Sequence, residues 1–168
     1  MDLLIVRHAI AVERGDEAFD RDEDRPLTPE GIHKFRLAAR GLKEYAPKPD
    51  CVISSPLVRA RQTAEILRDA LAPHAKIELC DHLAPGGDYG DLVAHVTGLG
   101  AQRIALVGHE PHLSGFTSYL IVGNKGSVSL VFKKGGAALV SFPDAPAPGR
   151  GTLEWLVRPA VLHDLGNA

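Results

Sequence analysis

Residues 3–8 read Leu3-Leu4-Ile5-Val6-Arg7-His8, a continuous apolar run that ends in two polar side chains. A run of this kind is typical of a strand buried on both faces, as in the sheets of α/β proteins. A second segment repeats the pattern, because Arg103-Ile104-Ala105-Leu106-Val107 is followed by Gly108-His109. The sequence therefore predicts two buried strands, each with a histidine just beyond its carboxyl end.

Helical and extended patterns alternate between these two segments. Thr28-Pro29 predicts the N-cap and first residue of one helix, and Ser55-Pro56 predicts the same start for a second helix. Cys51-Val52-Ile53 predicts a short buried strand between them. Further helices are expected over about residues 92–99 and 111–120, from their apolar spacing.

The last third of the chain has a different pattern. Apolar residues alternate with others over 128–132, 138–142 and 153–157, which predicts strands, with a hairpin turn over 133–136. Strands that alternate with helices and then cluster indicate an α/β fold, a three-layer α/β/α sandwich. We expect a mostly parallel central sheet with antiparallel C-terminal strands, in a single domain over residues 1–168.

The composition is that of an ordinary globular domain. The chain has 168 residues, of which 45% are hydrophobic and 24% charged, and its net charge is -2. This charge argues against a nucleic-acid partner, and no apolar stretch approaches the ~20 residues of a membrane span. The beginning of the chain lacks a signal-peptide pattern. We therefore expect a cytoplasmic protein without nucleic-acid or membrane partners.

Two arginines accompany the two histidines. Arg7 precedes His8, and Arg59 lies just after the strand that ends at Ser54-Ser55. Ligands of open α/β sheets bind beyond the carboxyl ends of the strands, where these side chains can meet His109. Arginine matches phosphate oxygens, and histidine can attack phosphorus. The positions predict a pocket for phosphate or another oxyanion that contains a nucleophile.

Each of these residues taken alone also has a purely structural interpretation. Arg7 could pair with one of the acids at positions 13–24, and Arg59 could face solvent, as most arginines do. A histidine at a strand end is commonly a satisfied polar residue. The matching positions after buried strands favour a shared site over these separate explanations.

Four segments of the chain form a set. Leu4 to Ala9 contains Arg-His-Ala, and Arg25 to Gly31 contains Leu-Thr-Pro-Glu-Gly. Ser54 to Ala64 begins Ser-Ser-Pro-Leu-Val-Arg-Ala-Arg-Gln-Thr, and His109 follows Gly108. Together they resemble the histidine phosphatase superfamily, with its Arg-His-Gly signature, Leu-Thr-x-x-Gly segment, Ser-Ser-Pro-x-x-Arg-Ala-x-Gln-Thr block and second histidine; Ala9 stands in place of the usual glycine. The segments keep the family's order, and the short chain looks most like the SixA-type phosphohistidine phosphatase branch.

The resemblance implies a phosphoglycerate mutase-like fold and a two-step mechanism without a cofactor or metal. His8 would attack phosphorus to form a phosphohistidine intermediate that water then hydrolyses. Arg7, Arg59 and His109 would bind the phosphoryl oxygens and stabilise the transition state. The substrate would be phosphohistidine on a signalling or phosphotransfer protein. Alternatives are a small-molecule phosphomonoesterase of the same family and a non-catalytic phosphate-recognition module.

A general acid is missing where many relatives have one. Leu83-Ala84-Pro85 stands in place of their Leu-x-Glu segment. An ester leaving group needs a proton on departure, whereas a protonated imidazole leaves well, so the absence favours phosphohistidine. Asp81 and Asp88 lie close enough in sequence to substitute, although we interpret Asp88 as a helix N-cap and Asp81 as solvated.

The acidic loop over residues 13–24 and the remaining histidines have structural interpretations. The loop is either a solvated, mobile segment, which we favour, or a rim that meets a basic protein surface. His109 and His112 are spaced i, i+3 with Pro111 between, which does not match a His-Glu-x-x-His zinc motif. Six histidines are assigned no chemistry: His33, His74, His82, His95, His112 and His163.

Overall fold

The computed structural model describes residues 1–167, which form six strands, five helices and two short 3₁₀ turns. The strands are β1 (Asp2–Arg7), β2 (Cys51–Ser54), β3 (Lys76–Leu79), β4 (Arg103–Gly108), β5 (Ala137–Ser141) and β6 (Thr152–Val157). The helices are α1 (Pro29–Tyr45), α2 (Val58–Leu71), α3 (Tyr89–Gly98), α4 (His112–Val122) and α5 (Pro159–Asn167). None of these helices is long and apolar enough to cross a membrane.

All six strands belong to one sheet in the order β3-β2-β4-β1-β5-β6. The strands β1 to β4 run parallel to one another, whereas β5 pairs antiparallel with both β1 and β6. The register of the central pair places Arg7 opposite Gly108, so the two carboxyl ends coincide. The predicted mixed sheet is confirmed, and β1 lies in its interior, between β4 and β5.

Side chains of β1 alternate between two apolar cores. Leu4 and Val6 pack with α1, α2 and α5, while Leu3 and Ile5 pack with α3 and α4 on the other face. All four side chains are buried, which is why this strand reads as a continuous apolar run instead of an alternating one. The three-layer α/β/α arrangement is therefore confirmed.

Two of the three predicted helix caps are confirmed. The Thr28 hydroxyl accepts a hydrogen bond from the Gly31 N–H at 2.9 Å, and Asp88 accepts one from the Asp91 N–H at 2.9 Å. The third prediction is wrong, because α2 begins at Val58 and Ser55 does not cap it. The Ser55 hydroxyl instead contacts His109, at 2.8 Å.

The predicted strand over residues 128–132 is also wrong, since this segment is irregular. Both polar backbone atoms of Phe132 are bound by side chains: its carbonyl by Arg7 and its N–H by Glu110. Those bonds replace the strand ladder that the alternation suggested, while the Phe132 side chain remains buried. Helix α5 was not predicted; it buries Leu162 against α1, and it includes His163.

Candidate active site

The sheet brings the two histidines together at the carboxyl ends of β1 and β4. The His8 N–H donates to the carbonyl of Gly108 at 3.0 Å, which joins the chain after β1 to the end of β4. The imidazole rings of His8 and His109 lie 5.0 Å apart between centroids, and both are buried. Arg7 is the last residue of β1, and Arg59 lies in the first turn of α2. All four predicted site residues therefore collect at one edge of the sheet.

The family-like segments hold the backbone around His8 in place. The Ala9 N–H donates to the Thr63 hydroxyl at 3.1 Å, and that hydroxyl donates to the carbonyl of Arg59 at 2.7 Å. Gly31 is required for close packing, because a Cβ at this position would lie 2.0 Å from the carbonyl oxygen of Ile10. These contacts link α1 and α2 to the chain that follows His8.

His8 has one nitrogen free for chemistry. Its Nδ1 lies 2.7 Å from the carbonyl oxygen of Ala9, which can only accept, so we assign the hydrogen to Nδ1. The lone pair is then on Nε2. Burial and the charges of Arg59, Arg7 and Lys134 lower the pKa of His8 to about 3, although the hydrogen bond to the Ala9 carbonyl opposes this shift. The imidazole is neutral at physiological pH, as a nucleophile must be.

His109 is oriented by Ser55. Its Nε2 lies 2.8 Å from the Ser55 hydroxyl, which also accepts from the Leu57 N–H at 3.4 Å. We assign the hydroxyl hydrogen to the bond with Nε2, which places the ring's own hydrogen on Nδ1. Burial is the main cause that lowers the pKa of His109 to about 2; the cost of a second protonated ring beside His8, and the charge of Arg59, add to it. The neutral ring can thus donate from Nδ1.

Three donors of this cluster lack a partner. Among the described residues, five buried side-chain nitrogens have no hydrogen-bond partner, and three of them are Arg7 Nε, Arg59 Nε and His109 Nδ1. Buried polar groups are normally satisfied, so such a concentration at one place indicates a ligand that accepts hydrogen bonds. Two guanidinium groups and an imidazole suit a tetrahedral oxyanion such as phosphate.

Asp22 holds Arg59 in position, a role the sequence did not reveal. Arg59 donates to the carbonyl of Asp22 at 2.7 Å and to its carboxylate at 3.0 Å. The same carboxylate binds Arg14 and Arg25. Partial burial opposes ionisation, but the hydrogen bond from Arg25 and the charge of Arg59 outweigh it and lower the pKa of Asp22 to about 2.

The acidic loop is therefore only partly a solvated segment. Its other acids are exposed, as expected, but Asp22 begins a 3₁₀ turn (Asp22–Asp24) and belongs to the site. No pattern in the sequence marked this role, because Asp22 is one of seven acidic residues in the loop and these residues show no periodicity. Ser55 was visible in the family-like segment but was interpreted as a cap, and Glu110 was considered only as part of a metal motif.

The remaining candidates lie outside this cluster. Asp81 and Asp88 are exposed, and Asp88 caps α3. His33 and His74 are exposed as well, whereas His112 is buried against the ring of Tyr89, with 4.8 Å between centroids. Within residues 1–167, no three His, Cys, Asp or Glu side chains are grouped in a way that could hold a metal ion.

Comparison with known proteins gives the same assignment for the family. Residues 3–92 match the sequence profile of the Histidine phosphatase superfamily (branch 1). An uncharacterised protein of Picosynechococcus is 39% identical over 140 residues, which cover 81% of this chain and 82% of that one. The chain therefore belongs to the histidine phosphatase superfamily, and its fold and site support phosphatase chemistry.

Within that superfamily the chain is similar to SixA over nearly its whole length. The phosphohistidine phosphatase SixA of Escherichia coli is 30% identical over 167 residues, which cover 96% of each chain. A solved structure of the protein histidine phosphatase SixA complexed with tungstate superposes with a TM-score of 0.83 at 29% identity. That superposition covers 96% of this chain and 99% of the SixA chain.

Proposed function

We propose that this protein is a phosphohistidine phosphatase that acts on a histidine-phosphorylated signalling or phosphotransfer protein in the cytoplasm. The observation that carries the proposal is the set of unpartnered donors on Arg7, Arg59 and His109, next to the neutral imidazole of His8. These donors fit the oxygens of a phosphoryl group, and the SixA relative binds tungstate, which is also a tetrahedral oxyanion.

The reaction takes two displacements at phosphorus. In the first, the Nε2 lone pair of His8 forms a P–N bond while the P–N bond to the substrate imidazole breaks, and the protonated imidazole leaves as a neutral ring. In the second, a water oxygen attacks phosphorus and the bond to Nε2 breaks. Inorganic phosphate leaves as dihydrogen phosphate with both protons of the water, and His8 returns to its neutral form with the hydrogen on Nδ1. Arg7, Arg59 and His109 stabilise the charge that builds up on the oxygens in both steps.

Two features favour a phosphoramidate over a phosphoester. Leu83-Ala84-Pro85 offers no carboxyl group to protonate a departing alkoxide, and Leu83 is buried in the core. Asp81 and Asp88 are exposed, and Asp88 is engaged as a cap. A protonated imidazole needs no acid on departure, so the chain's own residues suffice for phosphohistidine.

The alternatives predict different behaviour. A small-molecule phosphomonoesterase would hydrolyse simple phosphoesters at least as well as phosphohistidine. A phosphate-recognition module would bind oxyanions without turnover, and it would not need the nucleophile His8. The arrangement of His8, with Nδ1 fixed by the carbonyl of Ala9 and a low pKa, favours catalysis over simple recognition.

The test compares substrates and traps the intermediate. The protein is offered a histidine-phosphorylated phosphotransfer domain and a panel of phosphoesters, each with and without a chelator. We expect preferential loss of the phosphohistidine, unaffected by the chelator, and acid-labile phosphate on the wild-type chain but not on His8→Ala. Turnover that survives His8→Ala would falsify the assignment of the nucleophile, and a preference for esters would overturn the proposed substrate.

The partner surface has its own test, which leaves Asp22 in place because that residue holds Arg59. Glu23 and Asp24 are exposed at the rim of the site. If the rim contacts a basic protein surface, Glu23→Lys with Asp24→Lys should raise KM for the phosphorylated domain and leave hydrolysis of a free phosphoramidate unchanged. An equal change for both substrates would contradict this part of the proposal.

A further inference from the structure

Glu110, directly after His109, connects two parts of the chain that are distant in sequence. One carboxylate oxygen accepts a hydrogen bond from the Ser114 N–H at 3.0 Å, in the first turn of α4. The other oxygen accepts one from the Phe132 N–H at 3.1 Å. The single carboxylate therefore joins the start of α4 to the irregular segment 128–136, called here the crossover segment.

The crossover segment runs over the end of β1 and contacts Arg7 through its backbone. The carbonyl of Phe132 accepts a hydrogen bond from Arg7 Nη1 at 2.7 Å. The Gly135 N–H lies 3.2 Å from the carbonyl oxygen of Arg7 and 3.1 Å from that of His8. The Arg7 N–H in turn donates to the carbonyl of Gly136 at 3.0 Å. The position of this segment thus sets the position of the Arg7 guanidinium.

We propose that Glu110 is a positioning residue that fixes the Phe132 peptide, and through its carbonyl orients Arg7 for binding phosphoryl oxygens. The 128–132 part of the crossover segment lacks a strand ladder, so the carboxylate of Glu110 supplies the bond that a neighbouring strand would otherwise provide to the Phe132 N–H. With Nη1 fixed on the Phe132 carbonyl, the guanidinium keeps Nε unpartnered and available to an oxyanion. The inference rests on the proposed function only in that Arg7 binds the oxyanion.

Charge and geometry predict opposite effects when Glu110 is removed. Burial lowers the pKa of Arg7 while the negative charge of Glu110 opposes that shift, so the two groups interact electrostatically. A site that lost this negative charge and kept its geometry would be more positive and would bind anions more tightly. A site that lost the orientation of Arg7 would bind them less tightly. The sign of the change in anion affinity therefore separates the two effects.

The experiment measures the dissociation constant of inorganic tungstate by calorimetry. We expect Glu110→Ala to weaken binding about tenfold, the effect of one charge-assisted hydrogen bond. Glu110→Gln should give an intermediate value, because its amide oxygen can still accept one of the two backbone N–H groups. In an Arg7→Ala background, Glu110→Ala should weaken binding no further, since the residue acts through Arg7. The matched control is Glu65→Ala, an exposed glutamate on α2 whose loss should leave the affinity unchanged.

The outcomes separate this inference from the proposed function. The positioning role is overturned if Glu110→Ala binds tungstate as tightly as the wild type or more tightly. It is also overturned if the losses in tungstate affinity from Glu110→Ala and Arg7→Ala are fully additive. Either result leaves the proposed function standing. Equal binding by Arg7→Ala and the wild type overturns the role of Arg7 in both. Urea unfolding of each variant shows whether it is folded, and Glu110→Gln, which keeps the shape of the side chain, decides the matter if Glu110→Ala does not fold.

Discussion

Replacing the two active-site histidines should make the protein less sensitive to acid. In the unfolded chain, a histidine with the ordinary pKa of 6.5 takes up a proton as the pH falls from about 7.5 to about 5. In the folded protein, His8 and His109 stay neutral over this range, since their pKa values are lowered to about 3 and about 2. The unfolded state then binds more protons, so the free energy of unfolding decreases as the pH is lowered.

The size of the effect depends mainly on the unfolded pKa, because both folded values lie well below pH 5. Each histidine costs about 2 kcal/mol of stability at about pH 5 relative to about pH 7.5, and the pair costs about 4 kcal/mol. This penalty begins as the pH falls below 6.5 and levels off only near the folded pKa of about 3. The neutral state of His8 and the predicted sensitivity to acid have the same physical origin, which is the burial of the imidazole rings.

The assay is urea unfolding of phosphate-free protein at both pH values. We expect the wild type to lose about 4 kcal/mol more than the variant carrying His8→Gln and His109→Gln, and about 2 kcal/mol more than either single variant. His33→Gln removes an exposed histidine and should match the wild type. If the double variant lost as much stability as the wild type, the neutral state of the folded histidines would be refuted.

Three further changes test contacts around the site. Asp22→Asn should lower Tm by about 3 °C, because the ion pairs of Asp22 with its arginines are screened by solvent and contribute about 1 kcal/mol to stability. An unchanged melting curve would contradict this expectation. Ser55→Ala should lower kcat/KM about fivefold to tenfold by releasing His109, and should lower Tm by about 3 °C because buried His109 Nε2 loses its partner; full activity would exclude Ser55 as its orienting group. Gly31→Ala should lower Tm by at least about 4 °C, since the added Cβ meets a backbone carbonyl at 2.0 Å. Gly98→Ala, where the new Cβ meets nothing within 4 Å, is its matched control in thermal melts.

The sheet and the four predicted site residues were accessible from the sequence because they follow from short-range patterns. The apolar run at Leu3–Val6 predicts a strand buried on both faces, and parallel strands place their carboxyl ends at one edge. That rule is enough to bring His8 near His109. The helix caps at Thr28 and Asp88 were predictable for the same reason, since each contact spans only three residues.

The supporting contacts were not predictable, because they join side chains to distant backbone atoms. Asp22 and Arg59 are 37 residues apart, and Glu110 and Phe132 are 22 apart. Neither spacing leaves a periodic signal. The alternation at 128–132 predicted a strand because it reports only that Phe132 is buried, and not that the N–H and carbonyl of this residue bind side chains. Likewise, Ser55-Pro56 has the composition of a cap, but the hydroxyl is used by a histidine 54 residues away.

The three unpartnered donors also have a consequence for turnover. In the proposed reaction, inorganic phosphate leaves from the same nitrogens that bind the substrate's phosphoryl group, so we expect the product to inhibit the enzyme. Bound phosphate also stabilises the folded state by mass action, and a protein handled in phosphate buffer should melt at a higher temperature than one that is not. Because the two arginines and His109 all donate to the same oxyanion, we expect dissociation of phosphate to limit the rate of the proposed cycle more than the chemical steps.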